Sequence, residues 1–254
     1  MQHTLPVTAY TLTYNEAHQL RDVLESVKWA GEIIVVDSFS TDGTVEIARE
    51  FGAKVISTEF CGFGKLRNLA LDAAKHDWIF SIDADERCTP ELADEIRREL
   101  EGGPAFDAYL VPRKSHFLGK WMRHSGWYPD YRQPQFFNRA RMRYADDLVH
   151  EGYVLNGRLG YMHEHILQFP WPTIEVATAK LQRYSTLMAQ RYAAMNRRVT
   201  LGRLVGSPVA MFLKIYVVQQ GFRDGWHGLV LAGLYAYYTF LKYATLWELR
   251  ECRR

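Results

Sequence analysis

The sequence predicts an α/β protein: a doubly wound, mostly parallel sheet followed by a C-terminal helical, apolar extension. Three observations predict it. Strand and helix signals alternate over the first hundred residues. The run Ile33-Ile-Val-Val36 shows no polar alternation, as in a strand covered on both faces. After about residue 100 the rhythm changes, and the last fifty residues hold two apolar stretches, 204–218 and 226–247.

The elements follow in order. Residues 7–13 are rich in β-branched and aromatic types and predict a strand. Leu20, Val23, Leu24 and Val27 share one helical face. Residues 32–37 form the second strand, and Asp42 is placed to cap a helix carrying Val45, Ala48 and Phe51. A third strand covers 54–57, a helix about 65–75, and a fourth strand 78–83. Pro90 suits the first turn of a helix with Leu92, Ile96 and Leu100 on one side. Strands are expected at 106–111 and 133–137, and a long helix over 173–198. This divides the chain into an alternating strand-and-helix domain at 1–168 and a helical region at 169–254.

Composition narrows the function classes. The 254 residues hold 31 Lys+Arg and 29 Asp+Glu, and 48% are hydrophobic, which excludes a disordered or collagen-like chain. Residues 1–100 carry a balance of −8 and residues 101–254 one of +10. The densest basic stretch, 113–143, has eight Lys+Arg and one acid, Asp130. A cation-handling front half and a back half that meets something anionic fit this split, as does a solvated basic face. Cys61, Cys88 and Cys252 fit neither a disulfide framework nor a zinc ribbon, so a reducing compartment is expected. Residues 1–14 lack the basic start and apolar stretch of a secretory signal, so the chain is expected to remain on the cytoplasmic side.

Four motifs carry candidate chemistry, each at an expected strand end or helix start. Asp83 and Asp85, in Ser81-Ile-Asp-Ala-Asp-Glu86, are carboxylates at i and i+2 that can share Mg²⁺ or Mn²⁺ with phosphate oxygens. They also suit a strand-end turn. Asp37 and Asp42 bracket a turn in Val36-Asp-Ser-Phe-Ser-Thr-Asp-Gly43 and are placed to accept from a base or ribose. Thr13-Tyr-Asn-Glu16 ends the first strand. Lys65, Arg67 and Asn68 follow a glycine turn at Gly62-Phe-Gly64, where a helix start can approach a diphosphate. His163 and His165 would point the same way on a strand, and one is a candidate extra metal ligand.

Taken together, these motifs resemble the inverting family 2 glycosyltransferases of GT-A fold, over about residues 5–100. The resemblance implies that Thr13, Asn15, Glu16, Asp37 and Asp42 line a nucleotide pocket, with Lys65, Arg67 and Asn68 near the donor. It implies that Asp83 and Asp85 serve the ribose and a divalent metal, Mg²⁺ or Mn²⁺, with Asp85 the metal ligand. Leu148-Val-His-Glu151, Lys180-Leu-Gln-Arg-Tyr184 and Gly221-Phe-Arg-Asp-Gly225 are similar to the bacterial lipopolysaccharide core β-glucosyltransferase branch. Gln135 stands where that branch usually has an arginine.

The function that the resemblance implies is transfer of a hexose, with glucose from UDP-glucose as the best specific donor, to an anionic glycan or glycolipid acceptor of the lipopolysaccharide inner core. Inversion at the sugar carbon needs one carboxylate to take the acceptor proton; Glu151 is the candidate base, with Asp146 and Asp147 as rivals. Two other classes compete: a sugar-nucleotide nucleotidyltransferase and a non-catalytic membrane-binding adaptor. No nucleic-acid partner is expected. Trp226, Tyr235, Tyr237, Tyr238, Tyr243 and Trp247 resemble interfacial anchors among flanking arginines, so peripheral contact with the inner leaflet is expected through 226–247. A buried helix hairpin or an oligomer interface would use the same residues.

Overall fold

The structure is a computed structural model that describes residues 4–145 and 152–252. In chain order the first half runs β1 (Leu5–Thr13), α1 (Ala17–Ser26), β2 (Ala30–Asp37), α2 (Thr44–Glu50), β3 (Lys54–Ser57), α3 (Phe63–Ala73), β4 (Trp78–Ser81), β5 (Glu86–Cys88) and α4 (Pro90–Gly102). The remainder runs β6 (Ala108–Leu110), β7 (Arg113–Phe117), β8 (Lys120–Trp121), β9 (Phe136–Asn138), β10 (Met142–Tyr144), β11 (Tyr153–Leu155), β12 (Leu159–Tyr161), β13 (Ile166–Trp171), α5 (Ile174–Ala194), α6 (Ser207–Leu213) and α7 (Trp226–Trp247). These elements form two compact units: Met1–Arg113 with Asp130–Gln168, and Lys114–Pro129 with Phe169–Arg254.

The first unit is built on a sheet in the order β12-β6-β9-β4-β1-β2-β3. Its pairs are parallel except at β9, which lies antiparallel to both β4 and β6. The order turns back at β1, with β2 on one side and β4 on the other, so ligands are expected at the carboxyl ends of these strands. Alternate residues of β2 serve opposite layers. Val35 joins the core under α1, α2 and α4, while Ile34 and Val36 join the core under α3. Leu20, Val23 and Leu24 of α1 and Leu66, Ala70 and Leu71 of α3 are the buried faces that the apolar spacing marks.

Local chemistry shifts several expected boundaries. The helix expected at 65–75 begins at Phe63 and ends at Ala73. The N-cap of α2 is Gly43, with φ 88, not Asp42. Asp42 still binds that helix start, accepting from the Thr44 N–H at 3.2 Å and the Thr44 hydroxyl at 2.5 Å. α4 follows expectation: Pro90 sits in its first turn, and Thr89 Oγ1 accepts from Leu92 N at 3.2 Å. β5 was not expected. Its Glu-Arg-Cys has no strand pattern, and pairing of Glu86–Cys88 with Gln168–Ile166 of β13 creates it.

In the second unit, β7 and β8 pair through His116–Trp121 and Phe117–Lys120. α5 starts at the Thr173 cap and stops at Ala194, short of the expected 198, where Asn196 turns to φ 54. α7 packs against α5 and α6. Gly228 is required there, because a Cβ would lie 1.9 Å from the Gly221 carbonyl oxygen. Asp224 is buried and accepts from Ser125 Oγ at 2.8 Å and His124 N at 3.1 Å. Among the described residues no helix is long and apolar enough to cross a membrane. Of the expected anchors, Tyr235 and Tyr243 meet the rings of Trp171 and Tyr192, while Trp226, Tyr237 and Trp247 are exposed. All three cysteines are free thiols.

Candidate active site

The motif residues gather at the carboxyl ends of β1, β2 and β4. β1 and β2 are in register to their ends, with Thr13 beside Asp37. Asp37 is buried, and three donors hold its carboxylate: Thr13 Oγ1 at 3.0 Å, Ser40 Oγ at 2.5 Å and Ser40 N at 2.8 Å. Asn15, at φ 56, reaches the same loop: its N–H donates to Ser40 Oγ and its Oδ1 accepts from Thr41 N, both at 2.8 Å. The Glu16 N–H donates to Thr44 Oγ1 at 3.0 Å, and Asp42 Oδ2 accepts from Ala17 N at 3.0 Å. Desolvation raises the Asp42 pKa, but the hydrogen bonds from Thr44 and Ala17 prevail and hold it below the usual carboxylate value. The first two loops therefore close on one another through their own polar residues. Tyr14 and Phe39 remain exposed on them.

The second cluster surrounds β4. Arg67, buried on α3, donates to Ser81 Oγ and to Asp83 Oδ1, each at 3.0 Å, and lies 5.3 Å from the centre of the Tyr144 ring. Gln133, with its amide oxygen turned inward, accepts from both terminal nitrogens of Arg67 at 3.2 and 3.3 Å. Tyr10 links the floor, donating to Tyr144 Oη and accepting from Ser81 Oγ, each at 2.9 Å. Burial works against the Arg67 charge, yet the Asp83 carboxylate outweighs it and raises the guanidinium pKa further. Burial likewise opposes the Asp83 charge, while Arg67 and Arg113 pull its pKa below the usual range.

Glu86 fixes the turn that carries Asp83 and Asp85. It is fully buried, and its Oε2 accepts from Asp83 N and Gln135 Nε2, both at 3.0 Å. Its Oε1 accepts from Arg113 Nε at 2.5 Å. Arg87 wraps the same turn from outside, donating to the carbonyls of Ala84 and Glu86 at 3.2 and 2.7 Å. Desolvation lowers the Arg87 pKa, opposed by the fields of Asp22, Asp85 and Glu16. Asp83 is 38% exposed, and Asp85 is half-buried on the turn.

Other expected site residues lie outside the Arg67–Asp83 contacts. Asn68 clamps the backbone of Tyr144, accepting from its N–H at 3.1 Å and donating to its carbonyl at 2.9 Å. Lys65 is exposed on the first turn of α3. His163 and His165 precede β13 rather than lying on it, which corrects the expectation that a strand aligns them. His163 is 93% exposed and meets Glu95 of α4 at 3.0 Å, while the His165 carbonyl accepts from Thr89 Oγ1 at 2.8 Å. Among the described residues no three His, Cys, Asp or Glu side chains gather to hold a metal ion. Glu151, Asp146 and Asp147 lie outside the described residues. Their segment is flanked by Ala145 N and Gly152 O, bonded at 2.8 Å. The basic stretch 113–143 is largely paired within the first unit: Arg113 with Glu86, Arg132 with Asp130, Arg139 with Asp77, Arg141 with Asp107 and Arg143 with Asp72.

Sequence reading missed Tyr10, Glu86, Arg113 and Gln133. The first two were hidden inside a strand and beside the two aspartates. A charge as costly to bury as Glu86 signals itself only once its partner is known.

Comparison with known proteins places these features. A lipopolysaccharide core biosynthesis glycosyltransferase, LpsC of Rhizobium meliloti, is 28% identical, across 96% of this chain and 93% of that protein. An uncharacterized glycosyltransferase of Rickettsia felis is 29% identical, across 95% of this chain and 89% of that one. Among solved structures, S. aureus TarS 1-349 in complex with UDP superposes with a TM-score of 0.51 at 16% identity, covering 98% and 92% of the two chains. Mannosyltransferase PcManGT from Pyrobaculum calidifontis, in complex with GDP-Man and Mn²⁺, gives 0.53 at 16% identity, covering 99% and 89%. These structures share the GT-A-like fold. The description Glycosyl transferase family 2 matches residues 8–156, more than half of the sequence, and the chain belongs to that family.

Proposed function

We propose that this chain moves a hexose, glucose from UDP-glucose, onto a hydroxyl of an anionic glycan or glycolipid acceptor of the lipopolysaccharide inner core, with inversion. The observation that carries the reading is the division of labour in Asp83-Ala-Asp85. Asp83 is held by the buried Arg67, and Asp85 lies two residues on, half-buried in a turn that Glu86 and Arg87 anchor. The name of the LpsC relative supports the acceptor class. The UDP and GDP-Man bound to the two structural neighbours support a nucleotide-sugar donor.

The residues present fit a divalent cation. Mg²⁺ and Mn²⁺ are held by one or two carboxylates together with substrate phosphates rather than by a complete protein cage, and Asp83 and Asp85, two residues apart, offer such carboxylates. The Mn²⁺ bound with GDP-Man in the PcManGT structure supports the same reading. When bound, such an ion neutralises charge on the departing diphosphate. The chain's own groups do the remainder. Glu151 takes the proton of the acceptor hydroxyl while that oxygen bonds the anomeric carbon and the bond to the diphosphate breaks on the opposite face. The loops of Thr13–Asp42 and the start of α3 orient the donor. The chain works at the cytoplasmic face of the inner membrane as a peripheral protein.

Titration calorimetry with UDP, with and without Mn²⁺, tests the donor half on wild type and Asp85→Ala. Metal-dependent binding that the variant loses is expected; equal binding by both proteins overturns it. Glu151→Gln tests the base: turnover should fall by about 10²–10⁴-fold with UDP binding retained.

A further inference from the structure

The two units carry opposite charge. The first holds 16 Lys+Arg and 25 Asp+Glu, the second 15 and 4, for balances of −9 and +11. Within the second unit, residues 176–247 contain nine Lys+Arg and a single acid, Asp224, which is buried against Ser125 and His124.

In that stretch the helical run 201–218 has one covered side and one bare side. Ile215 is buried, and Leu204, Met211 and Phe212 are half-buried. Leu201, Val205, Val209, Leu213 and Val217 are all exposed, from 49% to 77%. The spacing of four is not accidental to the helix type. An α turn takes about 3.6 residues and a π turn is wider. α6 is flanked by π segments at Gly202–Gly206 and Lys214–Val218, which brings a four-residue step close to one full turn and keeps the five side chains in line. Arg203 and Lys214 are exposed beside the line, and Arg197, Arg198 and Arg223 are exposed at its ends. Phe222 continues it: its ring meets that of Tyr216 at 6.4 Å and stays half exposed, and Trp226 just beyond is 80% exposed.

We infer that this line, continued by Phe222 and Trp226, is a surface on which the chain lies on a bilayer rich in anionic headgroups. The aliphatic residues enter the acyl boundary while the flanking cations reach the headgroup phosphates. The inference deepens the peripheral placement proposed above and rests on it, but it is independent of sugar transfer. A second copy of the chain fits the face less well. Two such faces would set cation against cation, and residues 201–218 contain no acid to separate them.

Sedimentation of the full chain with phosphatidylethanolamine–phosphatidylglycerol vesicles, and with phosphatidylcholine vesicles, tests it. Wild type should bind the anionic vesicles at least about tenfold tighter than the neutral ones. Val205→Glu/Val209→Glu and Arg203→Glu/Lys214→Glu should each lose about tenfold or more, with unchanged circular dichroism and urea midpoint. Absence of wild-type binding, or equal binding by wild type and both variants, overturns the inference. A lipid-free dimer that Val205→Glu/Val209→Glu dissociates also overturns it, in favour of a second copy. UDP binding on the same samples separates the outcomes, since loss of vesicle binding with UDP binding intact concerns this surface alone.

Discussion

Arg67 and Asp83 meet at 3.0 Å across the first unit, and their environments are unequal: the guanidinium is buried and the carboxylate is partly open. The arginine therefore does the holding, and the aspartate presents its free side outward. Ser81, Tyr10, Gln133 and Tyr144 share further contacts of Arg67, so the Asp83 position is set by α3, β1 and β4 at once.

Arg67→Met removes the nearest charge that lowers the Asp83 pKa and orphans the oxygens around it. A loss of about 2 kcal/mol in urea unfolding is expected. The pH dependence has a definite sign. The folded pKa of Asp83 is depressed, so its contribution is complete above the ordinary carboxylate range and is lost as pH falls through the lowered value. In Arg67→Met the acid-unfolding midpoint should rise. An acid limb that superposes on wild type would remove this role for the pair.

Glu86 and Arg113 are both buried and share a bond of 2.5 Å. Removing either leaves a charge with no water to take the partner's place, so Glu86→Gln and Arg113→Met should each cost about 3 kcal/mol. The double variant should cost less than the sum of the two. A double-mutant cycle in chemical denaturation reads the coupling; strict additivity would show that the two side chains do not depend on one another.

Phe39 occupies the left-handed region at φ 60 with an exposed ring, next to the Asp37–Ser40 hydrogen bonds. A bulky residue there is strained. Phe39→Gly should raise stability by about 1 kcal/mol, visible as a higher Tm. If the ring also meets the nucleotide, UDP binding by calorimetry should weaken in the same variant. A lower Tm would show that the ring contributes more than the strain costs.

Cys88 is buried, and desolvation pushes its thiol pKa up to about 12. Cys61 and Cys252 are exposed. Alkylation of the native chain at pH 8 followed by mass spectrometry should modify Cys61 and Cys252 and spare Cys88 until denaturant is added. Modification of all three at similar rates would contradict this burial.

Much of the first unit was legible in advance because its signals are local. The apolar run 33–36, the face of Leu20, Val23 and Leu24, and Pro90 after Thr89 act over a few residues, and the structure places strand, helix and cap there. The strand-end positions of Thr13, Asp37 and Asp83 follow from the same periodicity. β5 and the networks around Arg67 and Glu86 were not legible, because their partners lie far along the chain. Gln135 donates to Glu86 across 49 residues, and Tyr10 donates to Tyr144 across 134.

The C-terminal region divides the two kinds of information most sharply. Composition alone determined that it is apolar, aromatic and cationic, and spacing determined that it is helical. Sequence reading marked 226–247 as the membrane-contacting stretch because its aromatics resemble interfacial anchors among flanking arginines. Packing decided which sides are covered: α7 packs on α5 and α6 yet keeps Trp226, Val230, Tyr237, Phe240 and Trp247 exposed, and Leu201, Val205, Val209, Leu213 and Val217 are bare along 201–218. Hydrophobicity measures what burial would gain, but only the tertiary arrangement determines which apolar side has found a partner.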